Sequence, residues 1–208
     1  MRAPRRLGLL LLGLVASAWA PLADSAYSDD AVKAAFLYRF TGFVDWPEAS
    51  LLRDEFTVAV LGSRPVAREL SRLLARYPVK SLPARVRTID DPAQARDAQV
   101  LYVGPGYAGE LEEIVTALGR QPVLLVTDRP GALEQGSAVN FLVVDRRVRF
   151  EVSVGAAQRA GLKVSSQLLA VAARVRGALM PLPHRPCPPK SPPADSFDRA
   201  CRVRVASL

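Results

Sequence analysis

The sequence predicts an α/β domain with a mostly parallel sheet flanked by helices and an antiparallel edge hairpin near its C-terminal end. Three observations predict it. Residues 56–61, 99–103 and 122–127 are short, almost wholly apolar runs rich in branched side chains, the pattern of strands buried on both faces. Segments with helical apolar spacing lie between them, giving the order strand, helix, strand, strand, helix, strand. Residues 138–144 and 148–154 are joined only by Asp145-Arg146-Arg147, a connection that suits antiparallel neighbours alone.

Each element has its own signal. Asp29-Asp30 can cap a helix starting at Ala31, in which Val32, Ala35, Phe36, Phe40 and Phe43 recur on one face; Gly42 and Trp46-Pro47 end it. The strand at 56–61 leads through Ser63 and Pro65 into a helix with Val66, Leu70, Leu73, Leu74 and Tyr77 in a stripe. Residues 84–89 alternate weakly, as a strand does. After the strand at 99–103, Leu111, Ile114, Val115 and Leu118 share one side of a helix that stops at Gly119. In the second hairpin strand Val148, Phe150, Val152 and Val154 face one way, while Arg149, Glu151 and Ser153 face a wet or polar side. A short helix at 155–160 and a longer one from Ser165 or Ser166, with Leu168, Leu169, Ala172, Val175 and Leu179 inward, close the domain, which spans residues 28–180.

The ends read differently. Residues 1–20 begin with Arg2, Arg5 and Arg6, continue through an apolar run and finish with small residues in an A-x-A pattern, which makes a secretory signal peptide and an exported chain. Residues 181–208 form a Pro-rich basic tail with seven of the 17 prolines, too many for a helix or central strand. The tail holds both cysteines, Cys187 and Cys201. In an oxidising compartment they suit an intra-tail disulfide, with pairing between chains or two incidental thiols as alternatives. Of the net charge of +8, each end carries +3, leaving +2 on residues 21–180. A basic balance confined to the ends gives no support to nucleic-acid binding.

Little in the chain looks like catalysis. Gly104-Pro105-Gly106-Tyr107-Ala108-Gly109 matches G-x-G-x-x-G after a strand and before a helix, with Asp128 where a ribose-binding acid would fall. Pro105 stiffens that turn and export removes dinucleotides, so a tight turn is the ordinary reading. There is no G-x-S-x-G elbow, and the single histidine, His184, is in the tail, so neither a serine triad nor a multi-imidazole zinc site can be assembled. No cofactor and no metal is expected. The polar and aromatic residues left for binding are Phe36, Arg39, Phe40 and Trp46, which read as a groove or as core, and Asn140, Arg149 and Glu151 on the hairpin.

Three stretches together resemble one family. They are Val32-Lys-Ala-Ala-Phe-Leu-Tyr-Arg-Phe40 running on to Phe43-Val-Asp-Trp-Pro47, then Phe56-Thr-Val-Ala-Val-Leu-Gly62, and finally Val139-Asn-Phe141 with Arg149-Phe-Glu-Val152, Ala156-Ala157 and Ala160-Gly-Leu-Lys-Val-Ser-Ser-Gln-Leu-Leu169. Over residues 28–178 the chain is similar to the YfiR-like periplasmic proteins. The resemblance implies a non-enzymatic, dimeric α/β protein of the periplasm that represses an inner-membrane diguanylate cyclase, lowers cyclic di-GMP and restrains biofilm. It implies release of that repression by an outer-membrane lipoprotein. The chain departs from the family pattern in having no cysteine before Cys187. A periplasmic sensor domain that binds a small ligand around Phe36, Arg39, Phe40 and Trp46 is the alternative expectation.

Overall fold

The computed structural model describes residues 28–107 and 109–177; the segment read as a signal peptide, the Pro-rich tail, Cys187 and Cys201 lie outside the described residues. In chain order the elements are α1 (Asp29–Phe43), β1 (Val44–Asp45), β2 (Phe56–Leu61), α2 (Arg64–Leu74), β3 (Ala84–Ile89), β4 (Val100–Val103), α3 (Leu111–Leu118) and β5 (Leu124–Thr127). β6 (Val139–Val144), β7 (Arg147–Ser153), α4 (Val154–Arg159), β8 (Lys163–Val164), α5 (Ser166–Val171) and β9 (Arg174–Arg176) complete the fold. Seven strands form one sheet in the order β3-β2-β4-β5-β6-β7-β9, and β1 pairs with β8 in a small antiparallel ladder. Strands β2 to β6 are mutually parallel. Taken alone they follow the doubly wound order 2-1-3-4-5, with the topological switch between β2 and β4.

The sheet separates two apolar layers. Residues such as Val58, Val60, Tyr102, Val126, Phe141 and Phe150 point to the side covered by α1 and α2, whereas Ala59, Leu61, Leu101, Val103 and Leu125 point to the side of α3. Every residue of β2, β4 and β5 is buried, which accounts for their unbroken apolar runs. Helix α2 starts where Ser63 accepts the Val66 N–H and Pro65 occupies the first turn, and α3 stops at Gly119 with φ +57°.

Helix α1 is held by aromatic contacts. The Phe40 ring is fully buried and lies 5.0 Å from Phe150 and 5.9 Å from Phe141; Phe36 lies 5.3 Å from Phe150 and 6.0 Å from Phe40. Such offset and edge-on pairs add about 1 kcal/mol each to the burial of their area. They tie the first helix to a hairpin a hundred residues later in the chain.

The structure departs from the sequence reading in four places. Ser28, not Asp29-Asp30, caps α1 by accepting the Ala31 N–H at 3.2 Å; the two aspartates fill the first turn, where they favour the positive end of the helix dipole. The buried face of α1 is Lys33, Ala34, Leu37, Phe40 and Thr41, while Val32, Ala35 and Phe36 are turned partly outward. The expected terminal helix ends at Val171: Ala172 turns extended, the Ala173 N–H donates to Phe150 O at 2.8 Å, and Arg174–Arg176 run parallel to β7 as β9. Pairing with an existing strand outweighs the local helical spacing there. As a result the hairpin lies one strand inside the sheet edge, which is β9.

Replacing Phe40 by Ala should cost about 4 kcal/mol, by removing the central ring of the cluster and leaving a cavity. Urea unfolding followed by circular dichroism measures it, and a loss under 1 kcal/mol would mean that α1 is not anchored there.

Candidate functional site

The carboxyl end of an open parallel sheet, where strand order reverses, is the usual ligand crevice. Here that crevice is filled by the chain's own backbone. Gly104 N–H donates to Leu61 O at 2.8 Å and Gly106 N–H to Gly62 O at 3.1 Å, so the loops after β2 and β4 lie against each other. A methyl group on Gly106 would come within 2.5 Å of Gly62 O, and one on Gly62, which has φ +72°, within 2.5 Å of Tyr107 N. Gly104 and Gly106 of the G-x-G-x-x-G match are thus required by loop-to-loop contact. Asp128 is not free for a ribose either: its Oδ2 accepts from Lys33 Nζ at 2.6 Å and from the Tyr102 hydroxyl at 3.3 Å.

Lys33, Asp128 and Tyr102 form a pin at the first turns of α1. The side chains of Lys33 and Asp128 are 11% and 16% exposed, so the pair is well shielded from water. Burial first, and then the negative charge of Asp128, push the Tyr102 phenol far above its usual range. A buried neutral phenol of this kind stabilises the fold below the unfolded-state tyrosine pKa of about 10 and ceases to do so as pH rises beyond it.

A second polar group crosses strands β5, β6, β7 and β9. The Asn140 Oδ1 accepts from the Thr127 hydroxyl at 2.8 Å and from the Arg129 N–H at 3.2 Å, and its Nδ2 donates to Glu151 Oε1 at 3.0 Å. Glu151 Oε2 accepts from Arg174 Nε at 2.8 Å, and Glu134 accepts from Arg174 and Arg176 at 3.4 and 3.2 Å. The Arg129 guanidinium reaches back to the carbonyls of Tyr107 and Gly109. A buried amide and carboxylate need such partners. All of their oxygen and nitrogen atoms are engaged, so Asn140 and Glu151 fasten β9 to the hairpin and set the direction of Arg174.

The same strand pairing lines up an exposed row. Val144 faces Arg147, Leu142 faces Arg149, Asn140 faces Glu151 and then Arg174, and Ser153 faces Arg176, all on one side of the sheet. Arg147, Arg149, Arg174 and Arg176 are exposed, and Val144 is 43% exposed beside them. With Glu134 and Glu151 as the acids of this region, the face is cationic.

The aromatic residues singled out from sequence divide between core and surface. Phe40 is core. Trp46 is core too, edge-on to Phe56 at 5.3 Å with its indole N–H donating to Gln99 O at 3.0 Å. Phe36 and Arg39 instead line a groove of about 590 Å³ between α1 and α2. Arg149 lies on the cationic row, far along the chain from that groove, so the sequence-derived residues form no single site. Gln99 was missed by sequence reasoning: buried, it accepts from the Thr57 N–H at 2.7 Å and donates to Ser50 O at 2.9 Å. A lone amide opening an apolar strand was the available signal. Among the described residues, no group of three or more His, Cys, Asp or Glu is placed to hold a metal ion, and no helix is long and apolar enough to cross a membrane.

Strand order and layers define a doubly wound α/β protein whose switch-point crevice is closed. A model of the YfiR/HmsC-like family matches residues 30–173, and the chain belongs to that family. Among solved structures, a conserved domain protein from Vibrio cholerae O1 biovar El Tor strain N16961 is similar, with 12% identity and a TM-score of 0.49. The match covers 71% of this chain and 60% of the Vibrio chain.

Two outcomes follow from this geometry. Asn140→Leu strands the Arg129 N–H and one oxygen of Glu151, leaving the Thr127 hydroxyl to Ser137 and Val139, and should cost about 3 kcal/mol in urea unfolding. For the wild type, stability should hold up to about pH 10 and fall above it. Tyr102→Phe should flatten that alkaline decline, and an unchanged slope would remove Tyr102 as its source.

Proposed function

We propose that this chain is an exported, non-enzymatic regulator that binds the periplasmic part of an inner-membrane diguanylate cyclase and represses it, lowering cyclic di-GMP and restraining biofilm. The observation that carries this reading is membership of the YfiR/HmsC-like family across residues 30–173. The secretory pattern of residues 1–20 supports a site of action in the periplasm. The cationic row along β6, β7 and β9 supports contact with a protein, since arginine is enriched at recognition surfaces.

Within this reading, Arg149 and Val144 make the contact, while Asn140 and Glu151 hold the surface in shape from beneath. Phe36 and Phe40 act through the placement of α1, Trp46 through its packing on β2, and Arg39 from the exposed side of α1. Pairing of two copies, and relief of repression by an outer-membrane lipoprotein, belong to the same proposal. Complementarity of charge would set partner choice and the rate of encounter more than the strength of the complex.

Deleting the gene should raise cyclic di-GMP and surface adhesion, and a tagged copy should retain a membrane cyclase on purification. The double variant Arg149→Glu, Val144→Asp should fail to restore the deletion strain while keeping its thermal midpoint within about 2 °C, because both positions are exposed. Unchanged cyclic di-GMP on deletion, with no cyclase retained, would overturn the reading.

A further inference from the structure

We propose that the groove between α1 and α2 is a binding site for a small amphipathic carboxylate, one with an apolar chain or ring and a single anionic head. The floor is apolar. Val32, Ala35 and Phe36 of α1 face Leu73 of α2 and Tyr77 just beyond that helix across it. The groove offers about 590 Å³, within the range of small-molecule pockets.

Helix α1 explains why this space stays open. Its sheet-facing side already holds Ala34, Leu37 and Phe40, yet Val32, Ala35 and Phe36 on the neighbouring side are apolar as well. A helix that is apolar on both sides is expected to be covered on both. Here Ala35 is exposed and Phe36 only half-buried, so one side is left without a cover among the described residues.

The charge around the groove selects the occupant. Arg39, Arg72 and Arg76 line it against a single acid, Glu69, which is paired with Arg72 at 2.7 Å. Arg39 and Arg76 are exposed and form no ion pair among the described residues. They follow and precede Tyr38 and Tyr77, whose rings lie 6.0 Å apart, so both residues stand at the same end of the groove. Two planar guanidinium forks at one end of an apolar trough match a carboxylate head with an apolar body. A cationic or neutral amphiphile would leave that end uncompensated. This site stands apart from the cyclase reading: its occupancy is a property of the purified chain alone.

The test is calorimetric titration of the purified full-length chain with decanoate, and in parallel with decyltrimethylammonium, which has a chain of the same length and the opposite charge. Decanoate should bind saturably at one site per chain and raise the melting temperature. The cationic amphiphile should not bind. Arg39→Ala and Arg76→Ala should each weaken decanoate about tenfold, the loss expected for one charge-assisted contact. Ala35→Trp should abolish binding by filling the groove, with the circular dichroism spectrum unchanged. Absence of saturable decanoate binding, equal binding of both amphiphiles, or indifference to all three substitutions would overturn the proposal. So would a dimeric wild type that Ala35→Trp renders monomeric, since a second copy would then be the cover.

Discussion

The structure depends on how α1 is fixed to the sheet. Two interactions of different kind do this. The rings of Phe36 and Phe40 pack on Phe141 and Phe150 of the β6–β7 hairpin, and Lys33 pairs with Asp128 beside the buried Tyr102. The aromatic contacts supply most of the free energy, because they are dry and numerous. The ion pair costs desolvation and returns little net stability, but it is directional, and it fixes the position of the helix along the sheet. From this docking follow the burial of the hairpin's apolar side, the exposure of its arginine side and the open groove along α2.

The carboxyl end of the sheet shows what the fold does not do. In doubly wound proteins the switch point commonly receives a phosphate or a nucleotide. Gly62, Gly104 and Gly106 here bring two loops into backbone contact instead, and Arg129 reaches their carbonyls from the next strand. Among the described residues, the cationic row and the α1–α2 groove lie away from that switch point. Phe36 lines the groove and touches both hairpin phenylalanines, so the two surfaces share one packed cluster.

Much of the fold was legible because the buried parallel strands announce themselves. No alternation is possible where both faces are covered, and residues 56–61, 99–103 and 122–127 show none. The hairpin was legible from its short connection, which the structure narrows to Asp145-Arg146, and from the alternation of its second strand. What was not legible came from pairing over distance. Residues 172–179 have helical spacing, and nothing local signals that Ala173 will bond to Phe150 or that Arg174 will find Glu151. The candidate site was less legible still. A stripe of Phe and Val on α1 looks the same whether it meets a sheet or lines a groove, and only the fold shows that Phe40 meets the sheet alone while Phe36 does both. The G-x-G-x-x-G match is ambiguous for a related reason: glycines serve any close backbone approach, whether to a ligand or to another loop.

If the docking of α1 organises the molecule, then α1 and the hairpin must open together. Native-state hydrogen exchange measures this residue by residue. The account predicts that the amides of Leu37, Phe40 and Thr41 in α1 exchange with the same opening free energy as those of Phe141 and Phe150, and that all fall together in Phe40→Ala. Exchange of α1 at a free energy several kcal/mol below that of β6 and β7 would contradict it, for the helix would then be an appendage to a sheet that stands without it.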